Sequence, residues 1–184
     1  MPVSEETFRR VALEDPEGHW ELHDGRLREK PGMSYPHNFA MTYLGHQLMS
    51  QLDPAVYEVR INAGHVNKTE RSFYIPDVFV LPTAQLGPDR DRFDVLEVYH
   101  EPLPLVVEIW SPSTGGYDID KKLPEYVARG DQEIWRLHPF ERTLKVWRRR
   151  PDGDYDVVEF TGGSVELHAL PGVTIDLDAL FGGA

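Results

Sequence analysis

Glu108 stands inside the most apolar stretch of the chain, Leu105-Val106-Val107-Glu108-Ile109-Trp110. A carboxylate in such a run is costly to desolvate unless it is paired, protonated or bound to a metal. In an extended strand alternate side chains share a face, so Glu108 points with Val106 and Trp110, away from Val107 and Ile109. On position alone, a buried salt bridge to an arginine or an exposed strand end explains it as well as a functional role does. Asp77 supplies a second carboxylate, following Pro76 and opening the hydrophobic run Val78-Phe79-Val80-Leu81. Standing alone it reads as a solvated turn residue. Two acidic residues on separate core strands can, however, converge on one hard divalent cation, and Mg²⁺ suits a site with few carboxylates and several waters. Lys122 is the third element. On a helix following the Glu108 strand, Lys122, Tyr126 and Arg129 fall at i, i+4 and i+7 and share a face. A lysine aimed at a metal site can orient the attacking water and stabilise charge developing on phosphorus. The plain alternative is that Lys121 and Lys122 are surface residues, Lys121 pairing with Glu125.

The elements that must position these groups follow from pattern. Ser4 to Glu14 reads as a short amphipathic helix with Ser4 as N-cap. Trp20 to His23, Asp24-Gly25 and Arg26 to Arg28 make a hairpin. Pro36 opens a helix over His37 to Gln51, with Met41, Leu44 and Leu48 on one stripe. Strands are predicted at Tyr57 to Ala63 and at Phe73 to Leu81, the latter demoted to an edge or a bulge by Pro76. Leu105 to Trp110 is a central buried strand, ended by Pro112, and Ser113 to Tyr117 is a loop. The next helix begins near Asp118 or Asp120 and ends at Gly130, a good residue for the left-handed position after a helix. Strands at Ile134 to Leu137, Thr143 to Arg148 and Tyr155 to Phe160 follow, then an extended segment and last short helix over Pro171 to Phe181. This mixture without strict alternation predicts an α/β (α+β) fold around a mixed sheet.

Composition bounds the rest. A chain of 184 residues, 40% hydrophobic and 11% aromatic, forms one domain, 1–184, with a real core. No cysteine is present, which excludes disulfides, thiolate metal sites and cysteine nucleophiles. No apolar run reaches membrane-spanning length and residues Met1 to Asp15 are charged rather than signal-like, so no membrane partner and a cytoplasmic location are expected. The net charge of −12 argues against non-specific coating of nucleic acid, but a bound cation and a local basic patch can offset it. Basic residues cluster at Lys121 to Arg129 and at Lys145 to Arg150, although Arg148-Arg149-Arg150 reads first as a solvated strand end.

Taken together the segments resemble the Uma2-like family (DUF820) of restriction-endonuclease-like proteins, within the PD-(D/E)xK nuclease superfamily. The matching pieces are Trp20 to Leu27, His37 at a helix head, Pro76-Asp77-Val78, and the run Val106 to Thr114 continuing through Tyr117-Asp118, Lys122, Tyr126 and Gly130 to Glu133-Ile134-Trp135. Leu170 to Val173 with Leu177 to Phe181 matches the family's end. The resemblance implies a central mixed sheet flanked by helices, with the active site at one edge of the sheet. It implies Asp77 and Glu108 as metal ligands, Lys122 as catalytic lysine, and Glu21, otherwise only a hairpin residue, as a further acidic group of the metal shell. It also places His37 near the site. In the superfamily pattern the lysine lies two residues after the glutamate, where this chain has Trp110. Pro124, in or near the first turns of the helix, leaves open whether Lys121 replaces Lys122.

The expected activity is Mg²⁺-dependent phosphodiester hydrolysis, with Mn²⁺ as substitute and DNA as partner. The alternative is a nuclease fold kept as a nucleic-acid or protein-binding module with weak or no catalysis. Cutting both strands favours two sites, hence a homodimer, although no stretch marks an interface. Other chemistries lack their motifs. Asn62 and Asn67 stand where a phosphate loop needs glycine. There is no G-x-S-x-G elbow, and His19 and His23 straddle a hairpin strand rather than a helix face.

Overall fold

The hairpin comes first. Asp24 and Gly25 both take positive φ (48° and 75°), turning β1 (Trp20–His23) into β2 (Arg26–Glu29). The computed structural model describes residues 2–15 and 17–182. Ahead of the hairpin, α1 (Glu5–Glu14) starts at Ser4, whose side chain accepts from Thr7 N–H, and buries Phe8 against Leu22 and Phe73. After it, α2 (Tyr35–Met49) begins two residues earlier than predicted, with Pro36 in its first turn, where a missing N–H costs nothing.

The strand predicted over Phe73 to Leu81 is instead two strands in two different sheets. β3 (Tyr57–Ile61) and β4 (His65–Thr69) precede it, then β5 (Ser72–Tyr74) ends and β6 (Val78–Pro82) begins after Ile75-Pro76-Asp77. Pro76 cannot donate to a ladder, so pairing lapses there and the chain crosses between sheets. The consequence corrects the edge assignment: β6 is an interior strand. With β7 (Val98–Tyr99), the first sheet runs β2-β1-β5-β4-β7. The second is built with β8 (Leu105–Ile109), β9 (Glu133–His138), β10 (Thr143–Arg149) and β11 (Tyr155–Phe160), in the order β11-β10-β9-β8-β6-β3. Only β8 and β9 pair in parallel in that sheet, so it is mixed, as expected.

One face of the six-stranded sheet presents Val78, Val107, Ile109 and Leu137 to α2 (Ala40, Leu44, Leu48) and to the C-terminal elements β12 (Ser164–Glu166), β13 (Thr174–Asp176) and α5 (Leu177–Leu180). The opposite face presents Phe79, Val106 and Ile134 to Tyr74, Tyr99 and Tyr126. Tyr126 belongs to the β8–β9 connection. Where a loop and one helix were predicted, helix runs almost continuously: α3 (Gly115–Tyr117), a π-helical turn Asp118–Lys122, and α4 (Leu123–Arg129), closed by Gly130 at φ 83°. The wide π turn lies just before Pro124, which sits in the first turn of α4, and such turns are frequent at functional sites. Gly115 is required by proximity, because a Cβ there would lie 2.1 Å from Trp110 Nε1. No helix among the described residues is long and apolar enough to cross a membrane.

Candidate active site

The antiparallel register of β6 and β8 pairs Val78 with Val107. Continued by one pair it sets Asp77 opposite Glu108, at the ends of two interior strands rather than along an edge strand. The Asp77 carboxylate is 2% exposed and is held on every side. Its Oδ2 accepts from Ile109 N–H at 2.6 Å and lies 3.1 Å from His37 Nε2, while Oδ1 takes the Lys30 ammonium at 2.7 Å. Burial works against ionisation here, but the Lys30 ammonium and the His37 contact outweigh it and hold Asp77 well below the ordinary carboxylate range. Asp77 is therefore not the solvated turn residue that its sequence position allowed.

Glu108 is buried among unlike partners. Lys122 Nζ is 3.2 Å and 3.4 Å from its two oxygens, and Tyr126 Oη donates to Oε1 at 2.5 Å. Desolvation dominates: despite Lys122, burial together with Asp118 and Asp77 pushes the Glu108 carboxyl up to about 8. Lys122 Nζ also lies 2.8 Å from Glu21 Oε1 and 3.8 Å from Asp118 Oδ1. Burial lowers its pKa, but Glu108, Glu21 and Asp118 together carry it well above the usual lysine value. Glu21 also accepts Ile75 N–H at 2.9 Å, which ties the hairpin of the first sheet to the crossing segment.

All four sequence-designated residues thus occupy one region, and three of them, Glu21, Glu108 and Lys122, touch. Lys121 is exposed, whereas Lys122 is buried against Glu108. His37, placed near the site by resemblance, contacts Asp77 directly. Arg129, on the same helical face as Lys122, turns away to Asp131 and to the carbonyls of Asn67, Tyr99 and Glu101. Two groups escaped the sequence. Lys30 carries no local pattern, since only folding brings it to Asp77. Asp118, taken as a helix cap, lies four residues before Lys122, a spacing that could have marked it. Its Oδ1 is buried without a hydrogen-bond partner, and burial raises its pKa.

This arrangement suits a hard cation in its chemistry. Four carboxyl groups, Glu21, Asp77, Glu108 and Asp118, face two ammonium groups, Lys30 and Lys122, and one oxygen of Asp118 is left without a hydrogen-bond partner. Oxygen donors of this kind match Mg²⁺. In the present side-chain arrangement, among the described residues, no three His, Asp or Glu groups converge as a ready-made ligand set.

The family described as "Putative restriction endonuclease", Uma2, matches residues 5–178. The chain belongs to the Uma2 family. Its fold is similar to the crystal structure of a putative nuclease belonging to DUF820 from Anabaena variabilis, with a TM-score of 0.75 and 18% identity over 99% of each chain. The comparison with curated proteins gave no match. At that identity the structural likeness speaks for the fold, and the site of this Uma2 chain rests on its own geometry.

Proposed function

We propose that this Uma2 protein is a Mg²⁺-dependent endonuclease that hydrolyses phosphodiester bonds in DNA. The observation that carries the proposal is the buried meeting of Glu21, Glu108 and Lys122 beside Asp77, from two sheets and a helix, at contacts of 2.8 Å and 3.2 Å. Charged groups are rarely assembled in a protein interior without a task, because each must be desolvated. Asp77, Glu108 and Glu21 would hold the cation. Bound there, it would supply Lewis acidity to a phosphoryl oxygen.

The chain's own groups then divide the work. Lys30, His37 and the Ile109 N–H fix the Asp77 carboxylate in its ionised form and in one orientation. Tyr126, donating to one oxygen of Glu108, holds that carboxyl group in one orientation. The Lys122 ammonium, now shared among three carboxylates, is the group able to donate to a water or to a phosphoryl oxygen as negative charge builds. With one such site per chain, cutting both strands calls for two copies acting together.

Purified protein incubated with plasmid DNA and Mg²⁺ tests this. Nicking or linearisation is expected, lost in Glu108→Gln and Lys122→Met and supported in part when Mn²⁺ replaces Mg²⁺ with the wild type. Tight binding with no cleavage in either metal would replace the enzyme by a binding module.

A further inference from the structure

Asp77 and Glu108 begin a row that continues across the sheet. The parallel register of β8 and β9 sets Glu108 opposite Arg136, and the antiparallel register of β9 and β10 sets Arg136 opposite Lys145. Residues paired in register share a face, so the carboxylates are followed on the same side by two cations. Strand spacing puts the two cationic positions roughly 5 and 10 Å along the row from Glu108. Ile134 and Trp147, two residues away on β9 and β10, pack on that same face with Val106 and Tyr126.

Neither cation has a carboxylate partner within 4.0 Å among the described residues. Several nearby arginines do, although Arg142 and Arg149 do not. Arg148 pairs with buried Glu133, Arg150 with Asp152, Asp154 and Asp156, and Arg129 with Asp131. Arg136 Nε is buried with no hydrogen-bond partner, and its Nη2 reaches only Gly115 O at 3.4 Å. An unpartnered buried donor on a permanent charge is costly, and a guanidinium fork fits phosphate in two parallel bonds. On its inner side Arg136 lines a crevice with Glu108, Asp118, Tyr126 and Trp147 that has room for about one water, ≈ 10 Å³, so a phosphate meets only the outer side of this half-buried guanidinium. Lys145 comes next in the row, half-buried, its Nζ 5.7 Å from the Trp147 ring centroid, with Glu159 beyond it on the edge strand. Glu159, opposite it on β11, is exposed and makes no ion pair with it.

We infer that Arg136 and Lys145 form a phosphate track leading into the carboxylate cluster. Arg136 grips the phosphate beside Glu108, and Lys145 grips the next one along the same strand. The choice of a phosphodiester polymer rests on the nuclease reading; the track itself rests on the row of residues. It also answers how a chain of net charge −12 holds a polyanion: by two placed cations rather than by overall charge.

Fluorescence anisotropy in EDTA, with short labelled single-stranded DNA, duplex DNA and RNA of one sequence, measures the track apart from cleavage. Arg136→Gln and Lys145→Gln are each expected to raise Kd about five- to ten-fold. Each should reduce the slope of log Kd against log salt by about 0.7–0.9, as for one lost phosphate contact. Arg136→Lys should keep the slope but not the affinity, because an ammonium carries the charge without the fork. Arg149→Gln, exposed on the same strand, should change neither. The probe losing most affinity identifies the polymer. Should Arg136→Gln fail to fold, Lys145→Gln and Arg136→Lys decide. Unchanged slope and Kd in Lys145→Gln, equal losses in Arg149→Gln, or no binding of any probe by the wild type overturns the track. A wild type that binds through these residues yet cuts nothing with Mg²⁺ leaves the track standing and sinks the nuclease instead.

Discussion

Glu108→Gln should make the protein more resistant to unfolding as the pH rises, and the size of that gain follows from where Glu108 sits. Burial pushes its carboxyl up to about 8, whereas in the unfolded chain it titrates at the ordinary glutamate value, 4.5. Between those values the folded protein keeps a proton on Glu108 that the unfolded chain releases, so the native state binds more protons and stability falls as pH rises. A single group of this kind changes stability by about 1.4 kcal/mol per pH unit across its window. For a chain of this length that is about 3–5 °C in Tm per pH unit. The amide introduced by the substitution cannot titrate, yet its carbonyl still accepts from Lys122 and Tyr126. Thermal unfolding of wild type and variant in EDTA at a series of pH values from 5 to 8 isolates the effect, because all other groups are common to both. The two Tm curves should lie close together near pH 5 and separate steadily toward pH 8, the variant above. Parallel curves would refute the claim that desolvation governs this carboxyl. A gap that widens in the opposite direction would mean that Lys122 overcomes burial and holds Glu108 ionised.

Lys122→Met leaves Glu21, Glu108 and Asp118 facing one another without their shared cation, and breaking such a buried pairing costs about 3–5 kcal/mol; chemical denaturation should show a lower midpoint at unchanged m-value. Tyr126→Phe removes only the hydroxyl that donates to Glu108, and about 1–3 kcal/mol should be lost in the same measurement. Asp77 has the opposite sign to Glu108: its depressed pKa contributes stability present above its unfolded value of 3.8 and lost as pH falls through the acid range, so the acid limb of the unfolding curve should flatten in Asp77→Asn. Gly115→Ala should destabilise by about 1–3 kcal/mol, because its methyl would press on Trp110 at the base of the π turn, and near-ultraviolet circular dichroism of the tryptophan should change with it.

How much of this was legible beforehand depended on whether the cause was local. Periodicity and turn chemistry located β8 and α2 to within two residues or so, and placed Gly130 as the left-handed stop after α4, because those signals reside in neighbouring residues. A lone carboxylate in the apolar run singled out Glu108 for a similar reason: the cost of burying it is written in its immediate surroundings. Pro76 gave a true signal, loss of a ladder donor, but the wrong consequence. Whether a lapse in pairing makes an edge, a bulge or a crossing between sheets depends on which strands wait on either side, and here it put Asp77 at the mouth of an interior strand.

Which side chains meet was decided by tertiary structure alone. Lys121 and Lys122 are equivalent as sequence; the π turn before Pro124 buries one among three carboxylates and leaves the other in water. Lys30 gives no sign of its position against Asp77, and Arg136 and Lys145 show no relation to Glu108 until strand register aligns them. Residue types set what chemistry was possible, because charge and donor atoms are properties of single side chains. Which of them act on one another was set by packing, because electrostatic and hydrogen-bonding strength fall off over a few ångströms and the chain brings distant residues that close only by folding.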